Sequence, residues 1–380
     1  SNKINIAIDA SRNRSGGTIS HLNGILTNLE PEKDNFKEIH LWSYQELLNS
    51  LPDYPWLYKH RHKFLEKSIL FQLYWQLVIL KSEVNRFKCS IVLNTDAGTI
   101  SSINPCVTMS RDMLSYEKGE IERYGLTIKS LRLILLRYIQ NRSLRRADGV
   151  IFLTKYASSV IQKSCGKVKT LSYIPHGLDK EFHSIKINNN WPKNNSHINI
   201  LYVSNSALYK HQWHVIEAIS KLRDNNKNKN IILNLVGGGS GKPNQIMMNS
   251  IAYHDPKREF VYLHSFLSRS DVISKLKEAD IFIFASSCEN MPNTLLEAMA
   301  AGLPIASSFR GPMPEILLDG GIYFNPEQPD TIRDAVQSLI SDQNLRDRLR
   351  SRAKQISFKY SWQKTAQKTL LFLNSIVANY

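Results

Sequence analysis

The stretch Ala285–Ile316, ASSCENMPNTLLEAMAAGLPIASSFRGPMPEI, decides the reading of this chain because it sets polar chemistry against an apolar framework. The apolar run Ile281–Ala285 ends in small polar residues, Glu289 and Asn290 follow, and Pro292 precedes Leu295, Leu296, Met299 and Ala300 at helical spacing. A proline suits the first turn of a helix, where its missing N–H has no partner to lose, so the predicted order is strand, turn, helix. Glu297 then lies inside the helix and Glu289 just outside it.

That placement limits what the two acids can do. In one helix, eight positions would set them roughly 80° apart around the axis and too far along it to share a proton. A carboxylate dyad is therefore disfavoured. With Glu289 in the turn, the pair can instead bracket a long ligand, each acid accepting hydrogen bonds from hydroxyls. The helix start between them offers backbone N–H groups suited to phosphate. Hydroxyls at both ends and phosphate in the middle describe a nucleotide sugar.

At this point the chain resembles the family-4 retaining glycosyltransferases, nucleotide-sugar enzymes of the GT-B fold. The resemblance rests on Glu289 and, after seven residues, Glu297 within SSCENMPNTLLEAMAAGLPIASS, followed by GPMPEI and GGIYFNP. The combination looks like the bacterial surface-polysaccharide branch, of O-antigen or capsule type. The plain alternative for the stretch is a surface strand-turn-helix whose acids only solvate it.

Length and composition agree with this class. At 380 residues the chain exceeds one ordinary core, and its hydrophobic content of 42% and charged content of 22% are those of a globular protein. The four cysteines, 89, 106, 165 and 288, show no C-x-x-C spacing and read as reduced cytosolic thiols, Cys288 as a small packing residue. No apolar N-terminal signal is seen, and Ile69–Leu80, carrying Gln72 and Gln76, is too short to span a bilayer.

The net charge of +16 asks for an anionic partner. Between Pro55 and Gly149 there are sixteen Lys or Arg against eight acids, half of the whole surplus. Within this region LTIKSLRLILLRYIQNRSLRR, Leu126–Arg146, interleaves Leu, Ile and Tyr with Arg and Lys. Such a helix can rest on anionic lipid, or it can be a core helix with a solvated basic face. No zinc spacing or RNA-binding signature supports a nucleic-acid partner.

Taken in order, KINIAID (Lys3–Asp9) reads as a buried strand running into SRNRSGGTISHLNGIL, where Gly16-Gly17 precede a helix beginning near Thr18. The resemblance places Gly16 and Gly17 beside the donor diphosphate and the acceptor; His21 reads as a helix-surface residue. Further strands are expected at 39–42, 91–93, 106–109, 150–153 and 170–174, the alternation of a parallel sheet covered on both faces. After Val107–Met109 the family often carries a His-Asp pair. Here stands Arg111-Asp112; because Arg keeps its proton, Arg111 is assigned to charge stabilisation or acceptor binding.

YIPHGLDKEF, Tyr173–Phe182, resembles the turn that ends the family's first domain, with His176-Gly177 structural. The Asn-, Lys- and Pro-rich SIKINNNWPKNNSHI then reads as a linker. Beyond it, His197–Val203 is a strand, and SNSALYKHQWHVIEAISKL a loop and helix. Relatives place an Arg at this strand's end and a Lys shortly after; Lys210 matches, while Ser204 or Asn205 occupies the Arg position. Arg310 is a candidate substitute. Strands at 231–236, 261–263, 305–307 and 322–324 and helices at 271–279, 329–340, 343–359 and 362–377 complete the pattern. Phe266 and Leu267 either contact the base or pack in the core.

The expected architecture is α/β: two doubly wound Rossmann-like domains facing a cleft, residues 1–185 for the acceptor and 196–360 for the nucleotide sugar. Residues 361–380 are expected as a helix crossing back to the first. By resemblance, Glu289 binds the donor sugar, Glu297 the ribose, and the backbone of Asn290, Met291, Pro292, Asn293 and Thr294 the diphosphate. Lys210 offsets leaving-group charge. No Asp-x-Asp occurs, in keeping with an enzyme that needs no metal and no cofactor beyond the donor substrate. The expected acceptor is a lipid-linked saccharide at the inner face of the cytoplasmic membrane. A scaffold that keeps the fold without the chemistry is the alternative, as is a basic nucleic-acid-binding protein.

Overall fold

The computed structural model describes residues 3–14, 16–186, 191–192, 197–225 and 230–380. The chain divides into two compact units, Ser1–Gly177 with Tyr360–Tyr380, and Leu178–Lys359.

The first unit holds a seven-stranded sheet of β1 (Ile4–Asp9), β2 (Phe36–Ser43), β3 (Leu57–Arg61), β4 (Ile91–Asn94), β5 (Cys106–Ser110), β6 (Gly149–Phe152) and β7 (Leu171–Tyr173), in the order β3-β2-β1-β4-β5-β6-β7. Every pairing is parallel. The strands β4, β5 and β6 are buried along their whole length, in keeping with their largely apolar sequences. β3 escaped sequence reading because LYKHR carries three cationic or titratable residues. It is an edge strand, where Arg61 stays in water while Lys59 and His60 are half-buried, His60 stacking on Trp42 at 4.8 Å.

The C-terminal helix Trp362–Ala378 belongs to this first unit, packing on the Gly16–Leu26 helix, β4 and β5. Its first residue is a wedge. A Cβ built on Gly24 would lie 2.2 Å from the Trp362 indole, and one on Gly177 would lie 2.3 Å from the Trp362 backbone nitrogen. His176 and His21 stack on one another at 4.5 Å beside the same indole. His21 is therefore a core residue, only 1% exposed, and not the helix-surface residue expected from sequence. Residue spacing around His21 carries no trace of a tryptophan arriving from the other end of the chain. Burial first, then the neighbouring His176 and Arg111, hold the His21 imidazole well below its usual pKa, so it packs as a neutral ring.

The second unit has six parallel strands, β8 (Ile198–Val203), β9 (Ile231–Val236), β10 (Val261–His264), β11 (Ile281–Phe284), β12 (Ile305–Ser308) and β13 (Ile322–Phe324), ordered β10-β9-β8-β11-β12-β13. The helices Gln212–Asn225, Gly241–His254 and Pro329–Ser341 pack together, and Asn293–Ala301 packs with Gln343–Ser357. The chain passes between the units at Gly177, ahead of the linker expected from sequence, much of which (187–190 and 193–196) lies outside the described residues. The reason is local. Phe182 is buried beneath the Arg269 guanidinium, and Arg269 also pairs with Asp179 at 2.6 Å and Glu181 at 3.2 Å, tying Leu178–Ile185 to the second unit.

If Trp362 fixes the first unit, Gly24→Ala costs about 1–3 kcal/mol through overpacking. Trp362→Leu, which clears that space, makes the second change much less costly than it is alone. Chemical denaturation of the two single variants and the double variant measures this; strict additivity of the two losses would refute the wedge.

Candidate active site

In the second unit the chain runs outward from β8 through β9 to β10, then returns to place β11 on the other side of β8. Strand order reverses there, and two loops leave the carboxyl ends of neighbouring strands side by side. One loop carries Lys210 and the other Glu289. The Lys210 ammonium is ion-paired with Glu289 Oε1, both side chains being largely buried. Sequence separates these residues by 79 positions; topology alone brings them together.

The loops are fastened to each other and to the sheet. Ser287 N donates to Tyr209 O at 2.8 Å, and His211 Nε2 lies 2.8 Å from Ser287 Oγ. Tyr202 Oη donates to Lys210 O at 2.8 Å. His211 holds left-handed backbone with φ 50°, a conformation that costs a non-glycine residue on the order of 1 kcal/mol or more and that these bonds sustain. None of these partners stood out in the sequence. The available clue was only that His211 and Ser287 flank residues already chosen.

Glu289 precedes the Asn293–Ala301 helix and Glu297 lies in its second turn, the arrangement expected from sequence. Pro292 occupies the position before the helix, not its first turn, with φ −84° and ψ 89°. Of the five backbone positions expected to face a diphosphate, Pro292 is thus excluded, having no N–H to donate. Met291 and Asn290 are buried, while Thr294 Oγ1 donates to Val203 O at 3.1 Å, anchoring the helix start to the end of β8.

Glu297 is only half-buried, yet it has no hydrogen-bond or ion-pair partner among the described residues. Desolvation pushes its carboxyl up to about 7, opposed by the Arg269 guanidinium and reinforced by Asp179. Arg269 is engaged by Asp179 and Glu181 and leaves Glu297 undischarged. A carboxylate in this state is suited to hydroxyl donors from a ligand.

The remaining sequence candidates divide. Ser204 is buried, its carbonyl and hydroxyl both accepting from Gln212 Nε2 at 3.3 and 3.1 Å. Asn205 is exposed. The turn after β9 comes so close that a Cβ on Gly237 would lie 2.4 Å from Ser204 O, and Gly237 itself has φ 132°. Arg310 pairs with Glu327 at 2.8 Å and not with Glu289, although the adjoining Gly311 lies against the Glu289 backbone. Phe266 is 87% exposed, which removes it from the core.

In the first unit Gly16 and Gly17 open the Gly16–Leu26 helix, and Arg111 Nη2 donates to Gly17 O at 3.0 Å. Burial lowers the Arg111 pKa to about 10, still cationic near neutrality, which keeps it from acting as a base. Asp112 accepts from Leu114 N at 3.0 Å and Ser115 Oγ at 2.9 Å, and Gln140 Nε2 stands 3.4 Å away. These bonds tie Asp112, which with Arg111 is the catalytic candidate of this loop, to the chain after β5.

Two outcomes follow from this geometry. Lys210→Ala or Glu289→Ala leaves one buried charge unmatched and lowers stability by about 3–5 kcal/mol, whereas Lys210→Ala with Glu289→Ala together cost much less than the two losses summed. Thermal denaturation of the three variants reads this coupling. Glu297 behaves differently, because its acid is uncharged below about pH 4.5 in the unfolded chain and below about 7 in the folded one. Its destabilising desolvation appears as pH rises through that window and is complete above 7. Glu297→Gln therefore raises Tm at pH 8 relative to the parent and gives little gain at pH 4; a constant difference across the range would show that the carboxyl is not so placed.

The family description "Glycosyl transferases group 1" matches residues 184–356. An uncharacterized glycosyltransferase of Methanocaldococcus jannaschii is 31% identical over 175 residues, 45% of this chain and 43% of that one. The D-inositol 3-phosphate glycosyltransferase of Xylanimonas cellulosilytica is 24% identical over 174 residues, 45% and 40% of the two chains. The chain thus spans less than half the length of these curated relatives. Among solved structures, sucrose-phosphate synthase from Thermosynechococcus elongatus superposes with a TM-score of 0.78 at 13% identity over 100% of both chains. Anabaena HepE in complex with UDP and glucose gives 0.70 at 16% identity over 98% of this chain and 100% of its own. At such identities the likeness is one of fold, and that fold is GT-B. Residues 184–356, the greater part of the second unit, accordingly match the glycosyl transferases group 1 family.

Proposed function

We propose that the chain is a retaining glycosyltransferase, moving a hexosyl group from a nucleotide-sugar donor to a saccharide acceptor. The observation that carries this reading is the buried Lys210–Glu289 pair beside the start of the Asn293–Ala301 helix, with the unpartnered Glu297 farther along it. In this assignment Glu297 accepts the ribose hydroxyls and Glu289 those of the donor sugar. Backbone N–H groups of Asn290, Met291, Asn293 and Thr294 meet the diphosphate. Lys210 offsets the charge that develops on the departing nucleoside diphosphate, the electrostatic contribution on which such transfers chiefly depend.

Ser204 and Asn205 supply only neutral groups where relatives carry a cation, so Lys210 and the helix start bear the diphosphate charge, with Arg310 at the margin. Gly16, Gly17 and Arg111 of the first unit are assigned to phosphate and acceptor handling. The reaction needs no metal in this scheme, since main-chain dipoles and Lys210 neutralise the leaving group. The acceptor is assigned as a lipid-linked saccharide in bacterial surface-polysaccharide synthesis, met at the inner face of the cytoplasmic membrane. HepE, whose structure is a complex with UDP and glucose, supports the donor class.

Thermal shift with UDP, GDP and ADP selects the donor base. Incubation of the matching nucleotide sugars with saccharide acceptors, in chelator, then yields product with the donor's anomeric configuration. Glu289→Gln lowers turnover by about 10²–10³ while nucleotide binding persists. Stabilisation by no nucleotide, with no turnover of any donor, favours the scaffold alternative over the enzyme.

A further inference from the structure

Two helical segments of the first unit are built inside out. In the helix Ile128–Arg146 the buried side chains include Ser130, Gln140 and Ser143, with Gln140 Oε1 accepting from Ser115 Oγ at 3.0 Å. Its outer side carries Leu131, Ile134, Leu135 and Tyr138, which are 47–68% exposed, and Ile128 is 88% exposed. The consecutive helical segment Ile69–Arg86 repeats the inversion. There Gln72 and Gln76 are buried, Gln76 Nε2 donating to Asp9 Oδ2 at 2.8 Å, while Leu70, Phe71, Tyr74, Leu77 and Val78 are 42–73% exposed. A helix covering a core in water shows the opposite order.

The two apolar rows flank one stretch of chain. Ile100 N donates to Gln76 Oε1 at 3.4 Å, and a Cβ on nearby Gly98 would rest 3.5 Å from Leu136 of the other helix. The charge around them is mainly positive, the acids beside the second row, Glu66 and Glu83, being paired with Arg61 and Arg86. Ile128–Arg146 contains six basic residues and no acid, and Lys67 and Lys81 bracket the other row with no acid between them. Lys67 lies over the Phe71 ring at 4.8 Å, and Lys129 and Arg132 border a hollow of about 540 Å³ lined also by Ile128, Leu133 and Leu136. Neither segment is long and apolar enough to cross a membrane.

We propose that these segments form one docking face for an anionic bilayer. Leu70, Leu77, Leu131 and Leu135 enter the boundary between headgroups and acyl chains, and Lys67, Lys81, Lys129 and Arg132 meet lipid phosphates. Exposed apolar rows with a mainly cationic fringe match that boundary, where fatty chains lie just beneath negative charge. A protein partner or a second copy would have to bring its own dense acidic rim. The surface supplies the location named in the functional reading above but stands on side chains that take no part in donor handling.

The test uses the whole chain without donor or acceptor, sedimented with vesicles of phosphatidylcholine alone or with about one quarter phosphatidylglycerol. Binding is expected only with the anionic lipid and is expected to fall on raising salt to about 1 M. Leu131→Glu with Leu135→Glu, and separately Leu70→Glu with Leu77→Glu, each lower the partition coefficient at least about tenfold. Because these side chains already face water, circular dichroism and the melting transition stay unchanged, which separates lost docking from lost fold. Three results overturn the proposal: no binding by the parent, equal binding by parent and variants, or a dimer in analytical ultracentrifugation that the Leu131→Glu, Leu135→Glu variant dissolves. Each is independent of sugar transfer.

Discussion

A parallel sheet sends the carboxyl ends of all its strands to one edge, and every residue considered for donor chemistry in the second unit inherits its place from that constraint. Lys210 follows β8, Gly237 follows β9, Glu289 follows β11 and Arg310 follows β12. Because β8 and β11 are neighbours across the reversal of strand order, their loops diverge in sequence yet meet in space. The first unit obeys the same rule at its own reversal, between β1 and β4, where Thr95 Oγ1 bonds Asp9 O and Asn13 Oδ1, both at 2.8 Å.

Within this frame the Lys210–Glu289 pair is a means of keeping charges in a place they would otherwise leave. Desolvating a lone ammonium or carboxylate is costly, and each here lowers the other's cost. Tyr202, His211 and Ser287 limit the freedom of the loops that carry them. The cation is thereby fixed in advance of any ligand, which is the condition under which an electrostatic contribution to a reaction is strongest. Glu297 is left in the contrasting condition: partly desolvated and unmatched, with the nearby cation of Arg269 held by other acids.

Periodicity made most of the fold legible. Strands such as Ile231–Val236 and Ile322–Phe324 and the helix containing Glu297 stand where their apolar spacing puts them. What escaped had a physical reason in each case. Leu57–Arg61 lies at a sheet edge and keeps the polar sequence of one. His21 is buried by a tryptophan from the opposite end of the chain, and Leu178–Ile185 joins the second unit through Arg269, far along the sequence. Of the candidate site, Glu289, Glu297 and Lys210 were picked out by local patterns that resemble those of a known family. Their supports Tyr202, His211 and Ser287 were not, because hydrogen bonds between loops leave no periodic trace. Charge patterning marked Leu126–Arg146 as unusual, yet only burial showed which of its faces turns outward.

The placement of Trp362 has a further consequence for how the molecule is made. Residues up to Gly177 emerge from the ribosome long before the segment that fills the notch at Gly24 and covers β4 and β5. The nascent first unit must therefore wait, its sheet partly uncovered, while the whole second unit is synthesised and can fold on its own. A message truncated just before the codon for Trp362 yields a chain with both sheets but with one of them lacking its closing helix, a natural substrate for chaperones and proteases.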